Sequence, residues 1–194
     1  MKEVNDHYFY KAKKEKYLAR SVYKLVEINE KFELIKRGHK VLDLGCAPGS
    51  WLQYVSDVVG PQGKVTGVDI KKITTVFPAN VEIQFKSVYD LAQEFEEGAE
   101  PVLNCVISDM APSTSGIRQA DSLLSANLCT EVIRIADLGL KKFGNLIFKN
   151  FESGETPALL KEVQARFELA KIYKPLASRT ESREIFIIGR RKKT

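Results

Sequence analysis

Seven short runs with strand character, most of them separated by segments of helical spacing, constrain this chain more than any other feature. The strand runs are KVLDLG (40–45), KVTGVDI (64–70), VEIQF (81–85), PVLNCVISD (101–109), GNLIFKNF (144–151), LAKIYKP (169–175) and REIFIIGRR (183–191). Between them, SWLQYVSDVVG (50–60) places Trp51, Tyr54, Val55 and Val58 on one helical side, and Gly60 stops it. VYDLAQEFEE (88–97), DSLLSANLCTEVIRIADLGL (121–140) and TPALLKEVQARF (156–167) also read as helices, the last with Thr156 as N-cap and Pro157 at its first position. ARSVYKLVEINEKF (19–32) is an extra helix ahead of the first strand. Alternation of this kind predicts an α/β fold: a mostly parallel seven-stranded sheet with helices on both faces. The last two runs have only ASRTES between them and should pair antiparallel at one edge. Ligands of such sheets bind beyond the carboxyl ends of the strands.

The 194 residues fit one domain with a sizeable core, and no repeat or linker divides them. Three cysteines, Cys46, Cys105 and Cys129, and two histidines, His7 and His39, are too few and too scattered for a disulfide framework or a zinc site. A reducing cytoplasm is the expected home, with no metal required. No apolar run is long enough to span a membrane, and MKEVNDHYFY is too polar for a secretory signal. Glu3, Asp6 and Glu15 argue against a transit peptide. The net charge of +5 divides unevenly: residues 1–24 carry +4, residues 171–194 carry +6, and the middle carries −5. Basic ends that converge on one face would form a phosphate-binding surface; solvated tails would have the same composition.

Three motifs carry chemistry. In VLDLGCAPGSW (41–51), Gly45 and Gly49 allow a tight strand-to-helix turn and close approach of a ligand. The spacing matches neither G-x-G-x-x-G nor a phosphate-binding P-loop. Asp43 at the strand end repels a pyrophosphate and suits a ligand with a positive amine. Asp69, at the end of GVDI (67–70), is placed to accept hydrogen bonds from a ribose diol. Together these fit S-adenosylmethionine. In VISDMAPSTSG (106–116), Asp109 ends a strand at the same edge, since Asp121 and Ser122 are better placed to cap the helix that follows; Pro112, Ser113, Ser115 and Gly116 then make an irregular, mobile loop. Lys149 ends the fifth strand after Leu146, Ile147 and Phe148. Position alone favours a lysine that snorkels to water.

RSVYKL, DLGCAPGSW, GVDI, SDMAP, the lysine of FKNF and KPLASRTESREIFII stand in the order found in the FtsJ/RrmJ-type ribose 2′-O-methyltransferases, which the chain resembles from about Ala19 to Arg190. The resemblance implies a Rossmann-like S-adenosylmethionine-dependent methyltransferase fold, a single domain over residues 1–194, and residues 1–35 as a basic extension and helix packed on it. It implies a catalytic set of Lys24, Asp109, Lys149 and Glu184. It also implies cofactor positions at Gly49, Trp51, Asp69 and Asp109; with Asp43, Gly45, Pro48, Ile70, Ser87 and Val88 these make up the expected cofactor site. Ser87 stands where the family often has an acidic residue near the adenine, so that contact falls to Ser87, to Asp90 or to backbone.

The implied reaction is in-line attack of a ribose 2′-hydroxyl on the sulfonium methyl group. Lys149 takes or steers the proton, Asp109 orients it, and Lys24 and Glu184 hold the hydroxyl in line. Lysine is a poor base until burial or a neighbouring cation perturbs it, and Lys24 is the candidate cation. RNA is the expected partner, gripped by Lys11, Lys13, Lys14, Lys16, Arg20, Arg179 and Arg183, with Tyr8, Phe9, Tyr10 and Tyr17 either stacking bases or packing the N-terminal helix. The leading expectation is a monomer that methylates a uridine of large-subunit (23S-type) ribosomal RNA. A tRNA or mRNA-cap substrate is the alternative within this chemistry, and an inactive RNA-binding protein is the alternative outside it.

Overall fold

The computed structural model describes residues 2–98, 100–112, 118–179 and 181–194. Two helices, α1 (Lys2–Lys14) and α2 (Val22–Phe32), precede β1 (Lys40–Leu44). Then follow α3 (Ser50–Val59), β2 (Lys64–Asp69), β3 (Val81–Phe85), α4 (Val88–Glu96), β4 (Leu103–Ser108), α5 (Arg118–Gly139), β5 (Leu140–Phe151), α6 (Thr156–Arg166), β6 (Phe167–Tyr173) and β7 (Glu184–Lys192). The seven strands form one sheet in the order β3-β2-β1-β4-β5-β7-β6. Adjacent strands from β3 to β5 pair parallel, and β7 pairs antiparallel with both β5 and β6. The antiparallel edge is therefore present as expected. Its reversed strand, β7, is the one between β5 and β6.

Successive residues of the central strands feed opposite cores, because a strand turns alternate side chains to alternate faces. Leu42, Leu44, Val106, Leu146 and Phe148 pack under α4, α5 and α6 with Ile133, Leu140 and Val163. Val41, Cys105, Ile107, Ile147 and Phe186 pack under α2 and α3 with Leu25, Ile28, Leu52 and Val55. This two-sided burial is why GNLIFKNF reads as a continuous apolar run.

Three local expectations need correction. The segment Lys2–Lys14, read as part of a basic extension, forms α1: Ala12 is buried against Val22, Tyr23 and Ala177, and Tyr8 packs beside it. Its last turn carries Lys11, Lys13 and Lys14, where cations suit the helix dipole. Helix α5 begins at Arg118, so Asp121 lies within its first turn instead of capping it. Thr156 is likewise inside α6, not its N-cap: its Oγ1 accepts hydrogen bonds from Ser153 N at 3.0 Å and Asn150 Nδ2 at 2.9 Å.

Candidate active site

The chain direction across the sheet reverses between β1 and β4, and a cavity of about 550 Å³ opens beyond their carboxyl ends. Gly45, Asp69, Ile70, Ser87, Val88 and Asp109 line it, as expected from sequence. Gly45 has φ of +75°, and a Cβ there would overlap the Met110 side chain. Glycine is thus required by both backbone and space. Asp69 ties two loops together: Oδ2 accepts from Ala47 N and Oδ1 from Lys71 N, both at 2.8 Å.

Other expected cofactor residues stand elsewhere. Asp43 is completely buried behind the cavity wall, and neither carboxylate oxygen has a partner among the described residues. Burial, reinforced by the charges of Asp109 and Asp69, pushes its carboxyl well above the ordinary range. Pro48 and Gly49 do not line the cavity; Gly49, at φ +110°, lies against Phe77 and Leu18. Trp51 is a core residue. Its ring is 3% exposed, lies 6.1 Å from Phe186, and donates Nε1–H to Ser21 O at 3.0 Å. The motif signalled the turn but not which way its side chains face. Ser87 caps α4, its Oγ accepting from Asp90 N at 3.2 Å, while Asp90 is exposed and outside the lining.

Sequence reasoning missed Lys71, Lys86, Tyr89, Met110, Leu124 and Leu128 in the lining. Only Met110 carried a signal, inside SDMAP. Pro112 also lines the cavity; Ser113, Ser115 and Gly116 lie outside the described residues. Two carboxylates, Asp69 and Asp109, and an apolar floor of Val68, Val88, Leu124 and Leu128 fit S-adenosylmethionine, which combines a cationic end, a ribose diol and a flat base.

Two lysine–carboxylate pairs stand on one face of the sheet, and one of them shares Asp109 with the cavity lining. The β4–β5 register pairs Ser108 with Phe148, which brings the next residues, Asp109 and Lys149, side by side. Lys149 Nζ donates to Asp109 Oδ1 at 2.9 Å and also to the Asp109 carbonyl. The lysine side chain is 9% exposed, so it is anchored, not snorkelling. Lys149 pairs with Phe186 across β5–β7, and Glu184 lies two residues before Phe186. Lys149 and Glu184 thus project from one face as diagonal neighbours. Helix α2 covers that face and supplies Lys24, whose Nζ lies 2.6 Å from Glu184 Oε1 and donates to Oε2 at 2.7 Å. Ser178 Oγ donates to Glu184 Oε1 at 3.0 Å. Helix α2 brings Lys24 to the face from which Lys149 projects, and each of the two ammoniums is matched to its own carboxylate.

The loop before β7 is tied to α2. Glu27 accepts from Tyr173 Oη at 2.6 Å, Leu176 N at 2.9 Å and Ala177 N at 3.2 Å. Burial, with Glu27 as its acceptor, pushes the Tyr173 phenol up to about 12. All three cysteines are buried and reduced, and burial pushes the Cys46 thiol up, leaving it an inert filler of the turn. Among the described residues no cluster of histidine, cysteine or carboxylate side chains suits a metal ion, and no helix is long and apolar enough to cross a membrane.

The family profile described as FtsJ-like methyltransferase matches residues 17–192. The chain belongs to the FtsJ-like methyltransferase family. It is 48% identical over 190 residues to a protein of Syntrophobacter fumaroxidans named ribosomal RNA large subunit methyltransferase E, covering 97% of this chain and 96% of that one. A protein of the same name from Oleidesulfovibrio alaskensis is 44% identical over 191 residues, covering 97% and 92%. A crystal structure of a ribosomal RNA methyltransferase from Plasmodium falciparum shares the fold with a TM-score of 0.77 at 24% identity, covering 91% of this chain and 98% of that one. Fibrillarin of Aeropyrum pernix, solved with S-adenosyl-L-methionine bound, shares it with a TM-score of 0.56 at 16% identity, covering 80% and 68%.

In this FtsJ-like chain the basic residues expected to meet RNA fall into two groups around the Lys24–Glu184 pair. Lys13, Lys14 and Lys16 are exposed, and Lys11 lies 4.6 Å over the Tyr23 ring. Arg20 donates to Ala177 O at 3.1 Å. Burial first, then the charge of Arg179, lower its pKa. Arg179 and Arg183 are exposed. Tyr8 and Tyr17 pack on Tyr23, with centroids at 5.4 and 6.0 Å, so they serve the fold. Phe9 and Tyr10 are 55% and 64% exposed. The terminal GRRKKT does not join them. Strand β7 starts at the active-site edge and carries it to the opposite end of the sheet.

Proposed function

We propose that this chain is an S-adenosylmethionine-dependent methyltransferase that modifies a ribose 2′-hydroxyl, on a uridine of large-subunit (23S-type) ribosomal RNA. The observation that carries the reading is the facing pair of lysine–carboxylate bridges, Lys149–Asp109 and Lys24–Glu184, on one face of the sheet beside a cavity that fits the cofactor. The names of the near full-length relatives support the RNA class. When bound, the cofactor supplies a methyl group already activated on a sulfonium.

The protein's part is then position and charge control. An ammonium has three donors. Lys149 commits two to Asp109 oxygens, and Lys24 donates one to Glu184 Oε2 while its charge lies against Oε1. Each keeps a donor for the oxygen of the incoming hydroxyl, and the two carboxylates balance the two cations. As an ammonium Lys149 steers the hydroxyl, and only as the neutral amine can it accept the hydroxyl proton; Asp109 holds Lys149, and Lys24 with Glu184 fixes the nucleophile's line. Gly45, Asp69, Ile70, Ser87 and Val88 hold the cofactor, with Asp43 buried in β1 just before Leu44 and Gly45 of that wall. Lys11, Lys13, Lys14, Lys16, Arg20, Arg179 and Arg183 hold RNA phosphates. The same reading has residues 1–194 acting as one domain and one monomer in the cytoplasm, residues 1–35 forming its basic extension, and no metal ion.

Lys149→Ala should lower methyl transfer by about a hundred- to ten-thousand-fold, with affinity for S-adenosylhomocysteine nearly unchanged. Full activity in that variant removes Lys149 from the catalytic set. Mapping ribose methylation in RNA from a deletion strain, with and without the gene restored, tests the substrate.

A further inference from the structure

The end of the sheet remote from the active site carries a second basic surface, which the catalytic reading leaves unused. Lys36, Arg37 and Lys40 precede and open β1, and Lys141 and Lys142 stand on a bulge near the start of β5. Arg191 closes the far end of β7. All six are exposed. Hydrogen bonds hold these segments together. Asn145 donates to Leu34 O at 2.9 Å and accepts from Arg191 N at 3.1 Å, while Lys40 N donates to Asn104 Oδ1 at 2.9 Å. His39 lies among them: burial first, then the charges of Lys141 and Lys36, lower its pKa, so their field converges there. Among the described residues Lys36, Arg37, Lys40, Lys141 and Lys142 form no ion pair, and only Arg191 is matched, by Glu168 at 2.7 Å.

The local backbone is bent to present this surface. Phe143 and Arg191 are both non-glycine residues with positive φ, +65° and +58°. Such conformations cost energy and persist where the surroundings impose them. The Phe143 ring is 46% exposed, with the Arg191 guanidinium stacked 4.3 Å from its centroid and Lys142 Nζ at 5.4 Å. An exposed ring under a guanidinium, edged by unpaired cations, has the chemistry that engages a phosphate backbone and an unpaired base. From Glu184 to Arg191 the strand advances about 23 Å at roughly 3.3 Å per residue.

We propose that this surface is a second RNA-binding site, which grips the phosphate backbone of the substrate RNA some 20 Å or more (roughly seven strand residues) from the nucleotide being modified. The inference rests on the reading above in taking RNA as the substrate. It makes the enzyme a two-handed binder: one basic surface surrounds the catalytic pairs, and the other reaches a neighbouring segment of a large folded RNA.

The test is the triple variant Lys36→Gln/Lys141→Gln/Lys142→Gln, compared with the native chain in two assays. In the first, binding to naked large-subunit rRNA is measured across a salt series. The variant should bind on the order of ten-fold or more weakly, with the slope of log K against log salt smaller by about 2. In the second, methyl transfer to large subunits from a strain lacking the enzyme should show a raised KM and an unchanged kcat, since none of the three residues is near the reacting atoms. Unchanged rRNA affinity and slope overturn the proposal. So does a raised KM on subunits with unchanged binding to naked rRNA, which would assign the surface to a ribosomal protein. Absence of transfer by the native chain to either RNA would instead remove the reading of its function, while the salt series would still report on this surface.

Discussion

Asp43 is a carboxyl group that the fold holds away from water. It sits on β1 with no exposure and no partner among the described residues, and its carboxyl is pushed well above its ordinary value of about 3.8 by burial and by Asp109 and Asp69. Between 3.8 and that raised value the folded chain binds more protons than the unfolded chain, so stability falls as pH rises through the window. Asp43→Asn removes this term. The variant should melt higher than the native chain at pH 7, and the gap should close toward pH 4. Its affinity for S-adenosylhomocysteine should fall at the same time. Equal melting temperatures at pH 7 would show that Asp43 is not held at a cost. The motif placed Asp43 at the right strand end, but an aspartate pointing into the core and one pointing into the cavity leave the same letters in a sequence. Trp51 taught the opposite lesson: a motif tryptophan turned out to face Phe186 and Ser21.

At the scale of elements, the catalytic geometry depends on how α2 is fastened to the loop before β7. Lys24 and Glu27 lie three residues apart and so share a side of α2, one reaching Glu184 and the other the 173–177 segment. Glu27→Ala leaves two backbone N–H groups and a phenol without their carboxylate. It should lower stability by about 3 kcal/mol and reduce kcat more than cofactor affinity, because the Lys24–Glu184 pair loses its frame. Glu27→Gln, which keeps an acceptor, should recover most of the kcat. If both variants match the native chain in turnover, the loop is held by other means. Helix α2 and the seven strands were legible because their apolar spacing is regular. Helix α1 was not, because among its described side chains only Ala12 is buried and its charged letters also suit a solvated tail. The early start of β5 was hidden for a related reason: Lys141, Lys142 and Phe143 are a bulge, and a bulge breaks the alternation by which strands are recognised.

For the whole molecule, the direction of one strand decides where charge goes. Composition showed basic termini, and the natural reading brought them together. Because β7 runs antiparallel from the active-site edge, Glu184 and Arg191 instead stand at opposite ends of the sheet. No one-dimensional pattern carries that information, since it depends on which neighbour β7 inserts beside. The same sheet makes the two cores interdependent. Val41 and Leu42, Cys105 and Val106, and Ile147 and Phe148 are neighbours in sequence that belong to opposite cores. Neither core can be dismantled without removing strand residues from the other. The chain carries its own reporters: Trp51, Cys46 and Cys105 lie in the α2–α3 core, and Cys129 lies in the α4–α6 core. Trp51 is the sole tryptophan and all three thiols are free and buried. In a urea series, Trp51 emission and pulsed thiol labelling of each cysteine should therefore share one midpoint, as a cooperative transition requires. Labelling of Cys129 at distinctly lower urea than the change in Trp51 emission would show that α4 to α6 open as a separate unit, and that the shared strands do not couple the two faces.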